Sequence, residues 1–249
     1  MGANQQLLIG EKAAASSPAD PSTISNLELW LKGDAIVGKS DGDFYSGGAT
    51  WPDSSGNGRD VSAVVISSGP QYKATAGPNS KPCVKMNSGY FTIPNFMTGF
   101  TAGHHFSVWI SDGDTPSAGE SGGPICDIGT ASDAYYPYVD RLMYSNFATN
   151  ARKDSISIGS AHYNVWACLE ERSAAGAWSS WWNGTSSFST GTNTVAFHTA
   201  GRIGVCSNAS QKRLDGMVAE VILYSRVLNS TEISTVKTYL NSKYGLSIV

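Results

Sequence analysis

The stretch NVWACLEERSAAGAWSSWWNGTSSFSTGTNTVAFH, residues 164–198, contains three apolar runs of strand length separated by turn residues. The runs are NVWACLEE, WSSWWNG and TVAFH. Short apolar runs bounded by Gly, Asn or Ser are typical of β-strands. The pattern continues on both sides, with LELWLKG, VSAVVIS, YFTIP, FSVWI, ICDIG and SISIG before this stretch and RIGVC and MVAEVILYS after it.

Strands at this spacing, without a helical period between them, predict an antiparallel sandwich or barrel. A parallel fold would need a helix in each crossover between strands. The sequence also shows no internal repeat of the length found in propellers and solenoids. We therefore expect an all-β fold built from antiparallel strands.

One helix is predicted, and it is the last element of the chain. Asn229 is a suitable N-cap, and Glu232 three positions later completes a capping box. An apolar stripe at spacings of three and four residues follows, formed by Ile233, Val236, Leu240 and Tyr244. Gly245 supplies the C-terminal stop.

Length and composition indicate one domain that is preceded by a short arm. Residues 1–24 are rich in Ala, Ser and Pro and predict an N-terminal arm or linker, whereas residues 25–249 carry the strand pattern. The arm lacks the features of a standard secretion signal, and no segment is long enough to insert into a membrane. The net charge is -3, and no basic stripe favours nucleic-acid binding.

Four cysteines, Cys83, Cys126, Cys168 and Cys206, lie far apart and form no CxxC pair. The spacing therefore gives no support to a zinc site. Buried thiols in strands are the favoured interpretation. Two disulfides across the sandwich are the alternative, and they would require an oxidising compartment.

The start of the sequence contains NLELWLKGDAIVG (26–38) and ATWPDSSGNGRD (49–60), and its end contains LDGMVAEVILYSRVLNSTEISTVKTYLNSKYGL (214–246). These segments resemble the ends of laminin-G-like domains of the concanavalin A-like lectin and glucanase class. The stretch WSSWWNGTSSFSTGTNTVAF (178–197) is similar to a central hairpin of those domains. The resemblance covers about residues 25–249. It implies a jelly-roll β-sandwich whose first and last strands pair.

The segment YPYVDRLMYSNFATNARKDSISIG (136–159) resembles a variant of these domains in bacteriophage and prophage virion proteins. This resemblance implies a virion structural protein of a capsid, tail or fibre, made in the host cytoplasm and homo-oligomeric. Its N-terminal arm would bind other virion proteins, and its loops would bind host-surface glycans. A cement protein that binds no sugar is one alternative, and a glycan hydrolase of the same fold is another.

Aromatic residues are the candidates for ligand binding. Trp178 and Trp182 should lie on one face of a strand and Trp181 on the other, so at least one of them is expected outside the core. An exposed ring can stack on a sugar or fill a pocket of a partner protein. Tyr136 and Tyr138 are candidates for the same role. Packing against the helix or a neighbouring subunit is the alternative for all of these rings.

The loop DSSGNG, residues 53–58, has the composition of an Asx turn in which Gly56 and Gly58 adopt positive φ. The same oxygens are of the type that calcium prefers. If two loops meet, the candidate ligands are Asp34, Asp53, Asn57 and Asp60. A turn is the favoured interpretation, because one short acidic loop supplies too few carboxylates. No other cofactor is expected.

The carboxylates give no sign of an active site, and we therefore expect the chain not to be an enzyme. Glucanases of this fold carry a Glu-x-Asp-x-x-Glu strand, which this sequence lacks. Glu170 and Glu171 are adjacent and should point to opposite faces of an extended strand. The sequence also has no GxSxG elbow.

Overall fold

The computed structural model describes residues 20–86, 89–111, 122–131, 134–157, 163–199, 201–206 and 213–249. The described residues form antiparallel sheets and one α-helix. The predicted all-β, antiparallel β-sandwich with a C-terminal helix is therefore confirmed. Residues 1–19, which make up most of the predicted arm, lie outside the described residues, and the boundary between arm and domain stays a prediction.

The strands are numbered in chain order, and the helix is α1. They are β1 (Leu27–Lys32), β2 (Thr50–Trp51), β3 (Val61–Val65), β4 (Gln71–Lys73), β5 (Cys83–Lys85), β6 (Gly89–Thr92), β7 (Ala102–Ser111), β8 (Leu142–Ser145), β9 (Lys153–Ser157), β10 (Ala167–Ala174), β11 (Ala177–Trp182), β12 (Thr185–Thr190), β13 (Arg202–Ile203), β14 (Gly216–Tyr224) and α1 (Ser230–Tyr244).

The large sheet has eight strands in the order β12-β11-β10-β7-β14-β5-β4, with β1 also paired to β14. A four-stranded sheet runs β13-β6-β3-β2, and β8 pairs with β9 in a hairpin. The pairing of β1 with β14 matches Leu27 with Tyr224 and Lys32 with Glu220. The expectation that the first and last strands pair is therefore confirmed.

The large sheet separates two apolar layers. On its inner face, Trp109 and Leu169 share one core with Trp51 and Phe91 of the four-stranded sheet. On its outer face, a second core lies against α1 and includes Phe106. Strands β7, β10 and β14 are therefore buried on both faces, since each lies between two apolar layers.

Helix α1 begins and ends at the predicted residues. The Asn229 side chain accepts a hydrogen bond from the Glu232 amide (3.0 Å), and the Glu232 carboxylate accepts one from the Asn229 amide (2.9 Å). Gly245 ends the helix in the left-handed region, at φ 65°. The buried residues of the helix are those of the predicted stripe, Ile233, Val236, Leu240 and Tyr244.

Two of the four cysteines form a disulfide, Cys126–Cys206, across 80 residues of sequence. The interpretation of all four as thiols is therefore wrong for this pair. The reason is a non-local strand pairing, in which the Cys126 amide donates to the Arg202 carbonyl (2.8 Å) and brings the two segments side by side. Cys83 and Cys168 are buried thiols, as expected.

The N-terminal end of the described chain packs on the sandwich. Pro21–Thr23 form a short 3-10 helix, and Ile24 is buried in the core beneath α1. The Tyr224 hydroxyl donates to the Pro21 carbonyl (3.1 Å). Among the described residues, no helix has the length and hydrophobicity needed to cross a membrane.

Candidate functional site

Three of the five aromatic candidates lie in the core, which corrects the expectation that they contact a ligand. Trp178 is 1% exposed, and its indole N–H donates to the Phe147 carbonyl (2.9 Å). Trp182 is 7% exposed and packs edge-on against Trp109, with ring centroids 5.6 Å apart. Tyr136 is buried as well. These rings fill the space between the sheets and leave no face open to a sugar.

Trp181 lies on the opposite face of β11 from Trp178 and Trp182, as the alternation of side chains predicts. It is half-buried. The Arg172 guanidinium lies over its ring at 3.8 Å from the centroid, and Arg172 is also ion-paired with Glu170. Part of the ring surface is therefore already covered by a side chain of the same protein.

Tyr138 belongs to a group of three half-buried rings at the surface, Tyr135, Tyr138 and Tyr144, which we name the tyrosine cluster. The ring centroids of Tyr135 and Tyr138 are 4.5 Å apart, and those of Tyr135 and Tyr144 are 5.7 Å apart. The third pair, Tyr138 and Tyr144, is edge-on at 5.9 Å. Three rings thus form one aromatic surface.

Backbone pairing fixes this surface. The Tyr135 amide donates to the Tyr144 carbonyl (2.8 Å), and the Tyr144 amide donates to the Tyr135 carbonyl (2.9 Å). The Tyr138 amide donates to the Leu142 carbonyl (2.9 Å). We name residues 134–147 the tyrosine hairpin. All three rings of the cluster are mounted on it.

Charged groups border the tyrosine cluster. The Arg152 guanidinium lies 4.9 Å from the Tyr144 ring centroid and pairs with Asp154 at 2.5 Å. The Tyr144 hydroxyl donates to the Asp140 carboxylate, and this hydrogen bond raises the pKa of Tyr144. Exposed Arg141 follows Asp140 directly. The border contains two cations and two anions, so the local charge is balanced.

This arrangement suits a ligand that has both apolar faces and hydroxyl groups. Tyrosine rings offer flat apolar surfaces with a polar edge. Carboxylates accept hydrogen bonds, and guanidinium groups donate them in a fixed geometry. A few polar groups beside aromatic surface are typical of small-molecule binding sites.

The sequence singled out Tyr138 but missed the roles of Tyr144, Asp140 and Arg152. Tyr144 reaches Tyr138 only because the chain turns back between them, and Arg152 directly precedes β9. The alternation of Tyr144 with buried Met143 and Ser145 was the available signal for an outward-facing ring.

The four predicted calcium ligands serve other contacts. The Asp53 carboxylate accepts hydrogen bonds from the amides of Ser55 (2.9 Å) and Trp30 (2.9 Å), which is the expected Asx turn. The Asp60 carboxylate accepts a hydrogen bond from the backbone amide of Asp53 (2.8 Å), and the side-chain amide of Asn57 donates to the Leu27 carbonyl (2.9 Å).

Asp34, the fourth candidate, pairs with Lys243 at 2.9 Å. In the described ranges, no group of three or more His, Cys, Asp or Glu side chains is arranged to hold a metal ion. Gly56 and Gly58 adopt the positive φ that the turn interpretation requires. Calcium binding stays a prediction.

Glu170 and Glu171 point to opposite faces of β10, as predicted. Glu170 faces the helix side and contacts His104 at 3.1 Å. Glu171 faces the interior of the sandwich and lies 3.5 Å from the ring of His105. The two carboxyl groups therefore cannot act on one substrate.

No family model and no curated protein sequence matches this chain. Its structure is similar to that of Trypanosoma rangeli sialidase, with a TM-score of 0.57 and 14% identity over 88% of this chain and 33% of the sialidase chain. The chain thus spans about a third of the length of that enzyme.

Two other similar structures are of comparable size or larger. Domain 4 of an extracellular arabinanase from Geobacillus stearothermophilus, solved in complex with arabinotriose, has a TM-score of 0.60 and 15% identity, over 85% of this chain and 98% of that domain. A receptor binding domain has a TM-score of 0.57 and 13% identity, over 86% of this chain and 51% of that chain. At these identities the similarity shows the fold alone, an antiparallel β-sandwich.

These comparisons contradict the expectation that the chain is not an enzyme. The similar structures include several of a sialidase and a domain of an arabinanase, so this sandwich occurs within enzyme chains. The absence of a Glu-x-Asp-x-x-Glu strand excludes one arrangement of catalytic carboxylates. The broader prediction that the chain is not an enzyme was wrong.

Proposed function

We propose that this chain binds glycans through the tyrosine cluster. The observation that carries the proposal is the grouping of three half-buried tyrosine rings on one backbone-paired hairpin, with Arg152 and Asp140 at their border. The C–H face of a sugar ring packs on aromatic surface, and its hydroxyls take the hydrogen bonds that the charged border offers.

The charge balance of the border favours a neutral sugar. Arg152 is paired with Asp154, and Asp140 accepts the Tyr144 hydrogen bond. An acidic sugar would have to displace Asp154 to pair with Arg152, and its carboxylate would lie near the negative charges of Asp140 and Asp154. A neutral sugar needs no such exchange, because its hydroxyls both donate and accept.

The structural comparisons support a binding role of this kind. One similar domain was solved with arabinotriose, and another is a receptor binding domain. Both descriptions apply to those proteins, and for this chain sugar or receptor binding is a proposal.

The proposed setting is a bacteriophage virion, on which the domain is mounted by its N-terminal arm as a homo-oligomer and contacts host-surface glycans. The sequence resemblance of residues 136–159 supports this setting, and most of the tyrosine hairpin lies within that segment. The Cys126–Cys206 disulfide supports a site of action outside reducing cytoplasm, as on a particle surface.

The test is an oligosaccharide array that contains arabinotriose together with neutral and sialylated glycans, probed with the wild-type chain. Tyr138→Ala should weaken binding by about tenfold, the equivalent of about 1.4 kcal/mol. Tyr90→Ala, which removes a half-buried ring from β6, is the matched control and should leave binding unchanged.

Two results would overturn the proposal. Absence of binding to every glycan of the array would favour the cement protein. Binding that is equal for the wild type and Tyr138→Ala would place the sugar site elsewhere on the chain.

A further inference from the structure

The tyrosine hairpin has an inner side as well as an outer one. Tyr136 and Ser145 alternate with the rings of the tyrosine cluster and are buried. The hydroxyls of Tyr136 and Ser145 are 2.9 Å apart, so the two arms of the hairpin are also joined on the inside. The Tyr136 ring lies directly over Gly123, where a Cβ atom would come within 2.5 Å of it.

This inner side covers a row of polar groups on the large sheet. The register places Glu171 of β10 directly opposite His105 of β7 on one side and Ser180 of β11 on the other. All three side chains face the sandwich interior, and all three are fully buried. Phe147, at the end of the hairpin, packs against His105 with ring centroids 4.7 Å apart and ring planes tilted by 52°.

The row leaves polar atoms without partners. Within the described residues, the two Glu171 carboxyl oxygens, the His105 Nδ1 and the Ser180 hydroxyl make no hydrogen bond of good geometry. The hydroxyls of Ser145 and Tyr136 lie beside the Glu171 carboxyl. Burying an ionised carboxylate without strong partners is costly, whereas a protonated carboxyl is a modest cost.

Within the described part of the chain, the titratable groups around Glu171 supply no cation. His105 faces it from β7, and Tyr136 faces it from the hairpin. Asp127 acts on Tyr136 and is paired with Arg202 at 2.7 Å. Arg172 and Lys237 contact Glu170 on the opposite face of the sheet.

We propose that Glu171 is a positioning residue for the tyrosine hairpin, whose protonated carboxyl keeps the hairpin seated on the large sheet and whose ionisation loosens it. If the proposed function is correct, loosening the hairpin also weakens glycan binding, because the tyrosine cluster is mounted on its outer side.

The electrostatics agree with this geometry. Burial raises the pKa of Glu171 to about 8, partly offset by the Ser145 and Tyr136 hydroxyls. Burial lowers the pKa of His105 to about 3, so the ring stays neutral over the same range. Opening the hairpin exposes Glu171 to water and returns its pKa toward the ordinary value. Opening is therefore least favourable at low pH, becomes easier as pH rises from the ordinary value of 4.5 to about 8, and changes little above that.

The first test needs no ligand. Amide hydrogen exchange of residues 134–147 is measured at pH 6 and pH 9 and corrected for the intrinsic rate. The opening equilibrium of the wild type should rise by up to about tenfold per pH unit below the folded-state pKa, the limit for one proton. A corrected rate that is constant with pH in the wild type would overturn the proposal.

Glu171→Gln mimics the protonated side chain and should remove the pH dependence. Glu28→Gln is the matched control, since Glu28 is a partly buried carboxylate of β1 that pairs with Arg59. It should keep the wild-type profile. If Glu171→Gln keeps it as well, another group is responsible and the proposal fails. The wild-type profile is informative even if this variant does not fold.

The second test separates this proposal from the proposed function. Arabinotriose affinity is measured by NMR titration at pH 6 and pH 9 for the wild type and Glu171→Gln. Weaker wild-type binding at pH 9, with constant binding by the variant, supports both the role of Glu171 and glycan binding at the tyrosine cluster. A pH-dependent hairpin in a protein that binds no glycan supports the role of Glu171 and contradicts glycan binding. Binding that is independent of pH in both proteins, beside a hairpin whose exchange depends on pH, contradicts glycan binding at the tyrosine cluster and leaves the role of Glu171 supported.

Discussion

Glu170 and Glu171 are adjacent residues of β10, and both are buried, but they face different surroundings. Glu170 contacts His104, Arg172 and Lys237 beneath α1. Burial alone would raise the pKa of Glu170, but the hydrogen bonds and charges of these partners outweigh it, and the pKa falls to about 2. Among the residues that the structure describes, Glu171 has no such cations beside it, and burial raises its pKa to about 8.

The difference shows how the two faces of one sheet hold the elements that pack on them, α1 on the outer face and the tyrosine hairpin on the inner face. On the outer face, an ionised glutamate is held among fixed cations, and the helix above it is capped at both ends. On the inner face, a neutral carboxyl lies under a hairpin that is held by backbone pairing and hydroxyl contacts. The first arrangement suits a permanent scaffold, and the second suits a surface whose seating depends on pH.

Removing the carboxylate of Glu170 should have the largest effect on stability. Glu170→Ala leaves His104, Arg172 and Lys237 without their shared acceptor, and the free energy of unfolding should fall by about 3–5 kcal/mol. The measurement is urea unfolding at pH 7. Because the pKa of Glu170 is lowered, its contribution is present above the ordinary value of 4.5 and is lost as pH falls toward about 2.

The free energies of unfolding of Glu170→Ala and the wild type should therefore become equal in acid. Glu28→Ala, which removes a less buried partner of Arg59, should cost about 1 kcal/mol or less. Equal losses for Glu170→Ala and Glu28→Ala would contradict the claim that the buried partners of Glu170 stabilise the fold more than a less buried ion pair does.

Breaking the disulfide should loosen the inner face only. Cys126→Ser with Cys206→Ser opens a closure of 80 residues and should lower the free energy of unfolding by about 2–4 kcal/mol. Hydrogen exchange should rise in residues 122–147, which lie next to Cys126 in the chain, and stay unchanged in α1. Equal loosening of α1 would show that the two faces are not independent.

Trp181→Ala should have the smallest effect, although Trp181 also belongs to the outer face. The substitution removes the ring beneath the Arg172 guanidinium, and an exposed cation–π contact is worth about 0.5–1 kcal/mol. Thermal unfolding of the variant beside the wild type measures it. A loss above about 3 kcal/mol would mean that Trp181 has the energetic weight of a core residue.

Features set by local rules could be predicted from the sequence. The capping box of Asn229 and Glu232, the opposite faces of Glu170 and Glu171 and the shared face of Trp178 and Trp182 follow from residue spacing alone. The pairing of β1 with β14 came from the family resemblance.

Features set by distant segments could not be predicted. Spacing shows that Trp182 shares a face with Trp178, but it does not show which face is covered. The Cys126–Cys206 pair depends on the backbone pairing of residue 126 with residue 202, which lie far apart in the sequence. The tyrosine cluster needs the hairpin pairing of Tyr135 with Tyr144, which is local, but the sequence does not show the register of that hairpin.

Glycan binding at the tyrosine cluster can be tested directly by mapping where a bound sugar contacts the chain. Aromatic side-chain NMR signals of the wild type are followed while arabinotriose, or the strongest glycan of the array, is added. If glycans bind at the tyrosine cluster, the ring signals of Tyr135, Tyr138 and Tyr144 shift and those of Trp181 do not. Saturable shifts at Trp181 alone, or no shift in any of the three tyrosines with a glycan that binds the protein, would contradict it.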